Sequence, residues 1–291
     1  MNGLLVLDKP DGMTSHDVVA KVRRVTGESS VGHLGTLDPM ATGVLPLLLG
    51  KYTRLAQFFG ASEKTYTGSI RFGFATDTYD AEGKAVSEPR AVSLTLDGVR
   101  AAAARFSGEM EQMPPQFSAK KIGGKAAHKI ARTGEIPKLK TARVVIHSFV
   151  IDEIDGDLAT FSMRISAGGY VRSVAHELGQ ALGCGAHLAS LRRVAAGAFT
   201  LVDALPLDEV ENLARAGLLE ERLPHPRTLL PEIPSVTADL QTLGRLRNGA
   251  QVNLPELSAA PVVKIFEGQR NLVAMGKRIA GTLFQPFVVL G

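Results

Sequence analysis

Hydrophobic and polar positions along the chain follow a strand period in some stretches and a helix period in others. Residues 3–7 (GLLVL) form an apolar run followed by turn-forming residues, which predicts a buried strand. Thr14 and Asp17 have the spacing of a capping box, and valines recur at helical intervals as far as Gly27, so a helix is predicted there. Residues 44–49 are again apolar and predict a buried element.

The same patterns continue through the rest of the chain in mixed order. The further predicted elements are a strand over 65–74, a helix over 96–106, strands over 142–151 and 158–166 joined at Asp155-Gly156, a helix ending at Gly183, a strand-like stretch over 187–204 and a helix over 207–216. This order favours an α+β fold with a mixed, largely antiparallel sheet flanked by helices.

A proline-rich stretch divides the chain. Residues 223–235 contain four prolines and are the predicted linker. The predicted domains are therefore residues 1–230 and a small β-rich unit of residues 235–291.

Composition narrows the class of protein. A hydrophobic content of 45% is ample for a core, and no apolar run approaches the roughly 20 residues of a membrane-spanning helix. Asp8 follows the first apolar run directly, so this run is not a signal peptide.

The single cysteine, Cys184, excludes an internal disulfide and fits a cytoplasmic protein. With His187 it forms a lone C-x-x-H, for which a core thiol is a better explanation than a metal site.

Positive charge is concentrated in one segment. Residues 119–143 carry eight Lys or Arg and one Glu, which gives this segment a net charge of +7. The net charge of the whole chain is only +4. Such a cluster indicates contact with a polyanion, although a solvated basic helix face would look the same. Helical spacing puts four of these residues on one face, interrupted by Gly123-Gly124, and the glycines predict a mobile insert. The candidate contact residues are Lys120, Lys121, Lys125, Lys129 and Arg132.

Asp38 is the candidate for chemistry. It lies in a glycine-rich loop and directly precedes Pro39, which keeps its backbone out of the helical region. A carboxylate on a loop beside a buried element is a common way to present a catalytic acid. A turn aspartate that bonds its own backbone has the same local pattern, so the residues of the loop leave both interpretations open.

Six motifs together resemble one known family. GHLGTLDPMATGVLPLLLGKYTR is similar to the catalytic motif of bacterial TruB-type tRNA pseudouridine synthases. The other five, GLLVLDKPDGMTSHDVV, KTY, MPPQFSAKKIGGK, GGYVRSVAHELG and HLASLRR, occur in the family's order. The resemblance covers nearly all of residues 3–200, and residues 235–291 are more weakly similar to the family's PUA-like domain.

The resemblance implies an isomerisation. The family converts uridine to pseudouridine at position 55, in the T loop of tRNA, by flipping the base, breaking the C1′–N1 bond and joining C5 to C1′. No atom is gained or lost, so no cofactor or metal is expected. Asp38 is implied as the essential carboxylate. Whether it attacks the sugar, attacks the base or acts only as acid and base stays open at this stage.

The resemblance also implies a base-binding site around Asp38. Tyr66 would stack on the target uracil, and Tyr170 and Leu191 would close the base slot. Arg172 would pair with Asp38 and keep it ionised. Tyr170 and Arg172 lie two apart on a stretch predicted to be extended, and therefore on one side.

Further residues are implied in RNA contact and support. His33 would enter the T loop once the uridine flips out, and Lys9 and Pro10 would brace the catalytic loop. Residues 113–143 would form the family's thumb, which closes on RNA through backbone phosphates. The thumb departs from the usual pattern, since Phe117 replaces a tyrosine and Ala127-His128 replaces Leu-Tyr.

Three other classes of protein fit the sequence less well. A P-loop phosphotransferase needs a glycine at position 45 and Ser or Thr at position 52, where Leu45 and Tyr52 stand. A non-catalytic tRNA-binding or RNA-folding protein would not need the pocket residues together with Asp38. An RNA-guided relative would carry a fuller PUA domain and partner-binding extensions. A stand-alone monomer that binds the T arm of tRNA, with no obligate protein partner and no membrane, is therefore expected.

Overall fold

The computed structural model describes residues 1–60, 62–118, 120–127, 130, 133, 135 and 137–291. The strands are β1 (Gly3–Lys9), β2 (Val31–His33), β3 (Ala41–Leu49), β4 (Lys64–Phe72), β5 (Gly108–Gln112), β6 (Lys121–Ile122), β7 (Lys125–Ala126), β8 (Ala142–Asp155), β9 (Leu158–Ile165), β10 (Ala186–Ala196), β11 (Phe199–Thr200), β12 (Leu205–Pro206), β13 (Ser235–Thr237), β14 (Val252–Asn253), β15 (Val262–Glu267), β16 (Asn271–Ala280) and β17 (Leu283–Val289). The α-helices are α1 (Ser15–Thr26), α2 (Ala56–Phe59), α3 (Leu96–Ala103), α4 (Val171–Ala181), α5 (Leu207–Ala216), α6 (Leu219–Arg222) and α7 (Leu240–Arg247), and 3-10 turns cover Gly50–Leu55, Ala104–Phe106 and Pro226–Thr228.

The large sheet has the strand order β12-β1-β3-β10-β4-β9-β8-β5, with β2 added to β3 and β11 to β10. Its neighbours are antiparallel except β1 with β12 and β3 with β10, which are parallel. The predicted mixed, largely antiparallel sheet of an α+β fold is confirmed. Within the described part of the chain, no helix is long and apolar enough to cross a membrane.

Helix α1 covers one face of this sheet, as the valine spacing predicts. Thr14 and Asp17 form the predicted capping box, and Gly27 ends the helix with φ of 67°. Val18 and Val22 are fully buried in the same apolar cluster as leucines of β1 and β3. The apolar stripe therefore both forms the helix and fixes it on the sheet.

A second sheet, in the order β13-β15-β16-β17-β14, packs on the opposite face of the first. Residues 223–235, predicted as a linker, run between the two sheets but are packed rather than loose. Leu229 and Leu230 are buried in the shared cluster. Lys264 donates from Nζ to their carbonyls, at 2.5 and 3.0 Å.

The basic insert begins differently from the prediction. The prediction of one helical face starting at Lys121 is wrong, because β6 and β7 form a two-stranded hairpin there. Gly123 and Gly124 make the turn with φ of 56° and 85°. Two successive positive φ angles suit a tight hairpin turn and interrupt a helix. Lys129 and Arg132 lie outside the described residues, as does His128.

Candidate active site

The loop between β2 and β3 carries Asp38. Its conformation is fixed from the start of α1, where Ser15 Oγ donates to the Leu37 carbonyl at 3.1 Å and accepts from the Leu37 amide at 2.8 Å. The amide of Gly12 also donates to the Pro39 carbonyl at 3.0 Å. The residues on both sides of Asp38 are thus tied to the neighbouring segment, which holds the carboxylate in place.

Lys9 supports the same loop from inside the protein. Its side chain is fully buried, and Nζ donates to the carbonyls of Pro10 at 2.8 Å, Pro39 at 3.0 Å and Met13. Burial lowers the pKa of Lys9, and the nearby carboxylates of Asp11 and Asp38 oppose that shift. Lys9 thereby links the segment after β1 to the loop of Asp38, and the supporting role implied for Lys9 and Pro10 stays a prediction.

Arg193 supports the loop from β10 and was not singled out from the sequence. The side chain is 1% exposed, and Nε donates to the Val44 carbonyl at 2.7 Å while an Nη donates to the Gly35 carbonyl at 3.1 Å. The backbone approach is close here, because a Cβ on Gly43 would lie 2.2 Å from the Arg193 carbonyl oxygen. The second arginine of the LRR motif and this glycine were the available signals.

Asp38 forms a two-point ion pair with Arg172. Nε lies 3.0 Å from Oδ2, and Nη2 donates to Oδ1 at 3.2 Å. The extended stretch predicted for Tyr170 and Arg172 is wrong, because α4 begins at Val171 and Arg172 lies in its first turn. A helical hydrophobic period starts immediately after Tyr170, and this period determines the local structure. Both side chains nevertheless border the same cavity.

The other three N–H groups of Arg172 are also used. Nη1 donates to Asp80 Oδ2 and to the Thr78 carbonyl, both at 3.2 Å, and Nη2 donates to the Phe117 carbonyl at 2.9 Å. The two Nη atoms of Arg172 therefore donate four hydrogen bonds, and Nε adds a charged contact with Asp38 Oδ2. Asp80, only 2% exposed, was missed because the polar stretch around it looked like an ordinary surface loop.

The electrostatics of the site make Asp38 more basic than an ordinary aspartate. Burial raises the pKa of Asp38, Arg172 opposes the rise, and the like charge of Asp80 adds to it. The side chain of Asp38 is still 32% exposed towards the cavity. A carboxylate that is oriented by an arginine but open on one side can act on a bound molecule.

A cavity of about 420 Å³ lies in front of Asp38. Six residues that the resemblance implied border this cavity, namely His33, Asp38, Tyr66, Tyr170, Arg172 and Leu191. Tyr66 on β4 and Leu191 on the adjacent β10 are each 8% exposed. An aromatic ring and an apolar side chain beside a carboxylate give a slot suited to a planar, uncharged ring.

Tyr170 is held by a residue at the base of the insert. Gln112, 1% exposed, donates from Nε2 to the Tyr170 carbonyl at 3.0 Å and accepts from the Tyr170 amide at 2.8 Å. Burial raises the pKa of Tyr170, so its hydroxyl keeps its proton. Gln112 could not be identified from the sequence, because nothing in the QMPPQF string indicates its distant partner.

His33 lies at the edge of the cavity. Its ring packs edge-to-face on His16, with ring centroids 5.6 Å apart. Burial lowers the pKa of His33, and electrostatic repulsion from His16 and Arg193 lowers it further, so the His33 ring is neutral near pH 7.

The described basic residues of the predicted thumb do not border this cavity, whereas the Phe117 carbonyl accepts from Arg172. Lys120 donates from Nζ to the Lys140 carbonyl at 3.0 Å and so links the two ends of the insert. Lys125 is exposed in the hairpin, and the backbone of Lys121 forms part of β6. Lys129 and Arg132 are outside the described residues, so the structure leaves their predicted role open.

Family models match residues 23–231 of this architecture, and known proteins match it over most or all of the chain. Residues 23–171 match the N-terminal domain of TruB family pseudouridylate synthase, and residues 172–231 match the C-terminal domain of tRNA pseudouridylate synthase B. The chain belongs to the TruB family of pseudouridylate synthases, enzymes that isomerise uridine to pseudouridine.

Individual relatives agree with that assignment. A tRNA pseudouridine synthase B of Solibacter usitatus is 44% identical over 100% of both chains. One of Geobacter sulfurreducens is 41% identical over 86% of this chain and 82% of its own length. Among solved structures, an H/ACA ribonucleoprotein bound to a substrate RNA containing 2′-deoxyuridine has a chain with a TM-score of 0.70, at 24% identity, covering 99% of this chain and 85% of its own. That likeness supports the fold.

Proposed function

We propose that this pseudouridine synthase acts on uridine 55 in the T loop of tRNA, with Asp38 as the essential carboxylate. The C1′–N1 bond of the uridine breaks, the uracil turns within the cavity, and C5 joins C1′. The proton on C5 is lost to water and N1 takes up a proton from water, so substrate and product have the same atoms. Neither a cofactor nor a metal takes part in this scheme.

The two-point pair of Asp38 with Arg172 is the observation that carries the proposal. It presents an oriented carboxylate at the wall of the cavity. A carboxylate in this position can stabilise or trap the cation-like sugar carbon that forms when a glycosidic bond breaks. Arg172 holds the carboxylate of Asp38 in a fixed orientation towards the cavity. Its positive charge also favours the ionised form of Asp38.

The remaining walls of the cavity suit a flipped uracil. A base taken out of its stack needs a new flat surface, and Tyr66 supplies it. Tyr170 and Leu191 would close the slot on the other side. His33 at the cavity edge would fill the place in the T loop that the flipped nucleotide has left. These roles rest on the resemblance and on the shared cavity of the four residues.

Outside the cavity, RNA binding is assigned to basic side chains that contact phosphates, and not to the recognition of bases. The insert over residues 113–143 would close on the T arm as a thumb, through Lys120, Lys121, Lys125, Lys129 and Arg132. Phosphate contacts supply affinity, and the shape of the folded loop supplies specificity.

We assign residues 1–230 to a catalytic domain and residues 235–291 to a small PUA-like RNA-binding domain. The protein would act in the cytoplasm as a monomer, with no obligate protein partner.

A tritium-release assay tests this function. A T-arm stem-loop with tritium at uridine C5 is mixed with the protein, and the label released to water is followed. We expect complete release with the unmodified protein and none with Asp38→Asn, since the amide cannot serve as a carboxylate. The matched control is Asp152→Asn, because Asp152 is an exposed aspartate on β8.

Three outcomes decide the proposal. Release by Asp38→Asn at the unmodified rate would show that Asp38 is not essential. Binding of the stem-loop without release by the unmodified protein would favour a tRNA-binding or RNA-folding protein. Equal losses in Asp38→Asn and Asp152→Asn would indicate a general effect of aspartate removal rather than chemistry at Asp38.

A further inference from the structure

Tyr79 has a backbone conformation that its residue type seldom adopts. Its φ is 65°, in the left-handed region, and Tyr79 and Leu230 alone among the described non-glycine residues have positive φ. A bulky residue in this region costs of order 1–3 kcal/mol, and it persists only where surrounding contacts determine it. The contacts of Tyr79 should therefore reveal what holds it there.

Tyr79 stands between two partners of Arg172. The residue before it, Thr78, accepts an Nη1 hydrogen bond through its carbonyl, and the residue after it, Asp80, accepts one through Oδ2. A carbonyl and a side chain two residues apart converge on one guanidinium nitrogen because the chain reverses at position 79. The left-handed turn at Tyr79 therefore shapes one side of the Arg172 site.

The ring of Tyr79 packs on the helix that carries Arg172. It stacks on His176 with ring centroids 3.8 Å apart and an angle of 13° between the ring planes. His176 lies four residues after Arg172 on α4, one helical turn further along. The same helix thus supplies the arginine and the surface that fixes the loop beside it.

The environment of His176 favours a neutral ring that packs through its flat face. Burial lowers the pKa of His176, so the imidazole is neutral near pH 7. Its Nε2 lies 3.0 Å from Gln180 Nε2, and in the described part of the chain its Nδ1 has no hydrogen-bond partner. A neutral imidazole can stack on a phenol without desolvating a charge.

The backbone of Tyr79 is also attached to the sheet. The Leu188 amide on β10 donates to the Tyr79 carbonyl at 3.0 Å, and the Ala81 amide donates back to the Leu188 carbonyl at 2.9 Å. These bonds set the distance of the loop from β10, whereas the ring stack sets its position against α4. Tyr79 is therefore fixed from two directions, one of which depends on its aromatic side chain.

We propose that the stack of Tyr79 on His176 is a positioning device for the reaction, which locks Asp80 and the Thr78 carbonyl onto Arg172 and thereby aims Asp38. The inference rests on the proposed role of Asp38, and it adds two residues that touch neither substrate nor Asp38. A displacement of about 1 Å in such a support can lower a reaction rate by about 100-fold.

Three variants separate the stack from the hydroxyl and from the backbone strain. Tyr79→Phe keeps the ring and removes the hydroxyl. Tyr79→Asn removes the ring, but asparagine adopts a left-handed φ more readily than tyrosine, so this substitution should not add backbone strain. His176→Ala removes the opposite ring. The measurements are the single-turnover rate of tritium release, the dissociation constant for the T-arm stem-loop, and the melting temperature.

We expect Tyr79→Phe to react within about threefold of the unmodified rate, and both Tyr79→Asn and His176→Ala to react at least about tenfold more slowly. Dissociation constants should stay within about twofold, because neither ring lies in the RNA-facing cavity. The double variant should be no slower than the slower single variant, since both changes remove one contact.

Other results overturn the inference. Unchanged rates in Tyr79→Asn and His176→Ala would show that the stack does not position Arg172. Equal losses in Tyr79→Phe and Tyr79→Asn would assign the effect to the hydroxyl, and additive losses in the double variant would assign it to two separate contacts. An inactive unmodified protein would instead remove the proposed function, and this inference with it.

Discussion

Replacement of Arg172 by lysine tests whether the geometry of the guanidinium, and not its charge alone, supports catalysis. Arg172 makes four hydrogen bonds from its Nη atoms and one charged contact from Nε, on four partners, and two of these five contacts reach the two oxygens of Asp38. A lysine ammonium has three donors on one nitrogen and no planar fork. Arg172→Lys therefore keeps the positive charge but loses at least two of these five contacts, and with them the two-point contact with Asp38.

The size of the effect follows from those lost bonds. Hydrogen bonds to charged groups contribute about 1.5–3 kcal/mol each, so two of them come to about 3–6 kcal/mol. Because Arg172 is only 5% exposed, water can replace little of this. Only the part that differs between ground state and transition state slows the reaction. With about 3 kcal/mol in that part, the rate falls on the order of 100-fold.

The assay is single-turnover tritium release at saturating protein, with stem-loop affinity measured separately. The matched control is Arg164→Lys, since the side chain of Arg164 is 54% exposed and forms a long ion pair with Glu63, at 3.7 Å. We expect that control to stay within about twofold, because exposed pairs contribute little. A rate for Arg172→Lys within about threefold of the unmodified protein would refute the argument from geometry.

The remaining predictions concern pH, close packing and charge. Asp38 must be ionised to act, so the rate should fall as pH drops through its raised pKa; Asp80→Asn removes a like charge that raises this pKa, and the acid limb of the pH–rate profile should move to lower pH. Gly43→Ala should lower the melting temperature far more than Gly108→Ala, because both glycines have φ near 100° but only the Cβ at 43 would meet backbone, at 2.2 Å. Equal melting shifts would contradict that explanation. Deletion of residues 120–140 should weaken tRNA binding and reduce its salt dependence, and unchanged binding across a salt series would exclude the thumb role.

Local patterns were sufficient for much of the fold and for the position of the cavity residues. The capping box before α1, the hairpin between β8 and β9 and the period of α5 are all encoded within a few neighbouring residues. The motifs that carry Asp38, Tyr66 and Leu191 are likewise short strings with a fixed order. Their meeting at one cavity follows from the fold that the resemblance implied.

Partners that are distant along the chain could not be predicted in this way. Asp80 lies 92 residues from Arg172, and Gln112 lies 58 residues from Tyr170. Neither residue differs locally from a surface polar residue, and only tertiary packing shows that it is buried. The false helix at Lys121 has another cause, because the spacing of the basic residues was given more weight than two adjacent glycines that favour a turn.

Two buried lysines of this protein hold loops by donating hydrogen bonds to backbone carbonyls. Buried cations therefore do more here than form ion pairs. Lys9 and Lys264 are each at most 1% exposed, and each ammonium donates to three backbone carbonyls. Three donors match three acceptors, so loops that would otherwise bury unpaired carbonyls can close tightly. Burial lowers the pKa of both lysines, which shows that desolvation opposes the charge in each case. The same physical device therefore fixes the loop of Asp38 and the segment between the two sheets, and the rigidity it gives the first of these is what an oriented carboxylate requires.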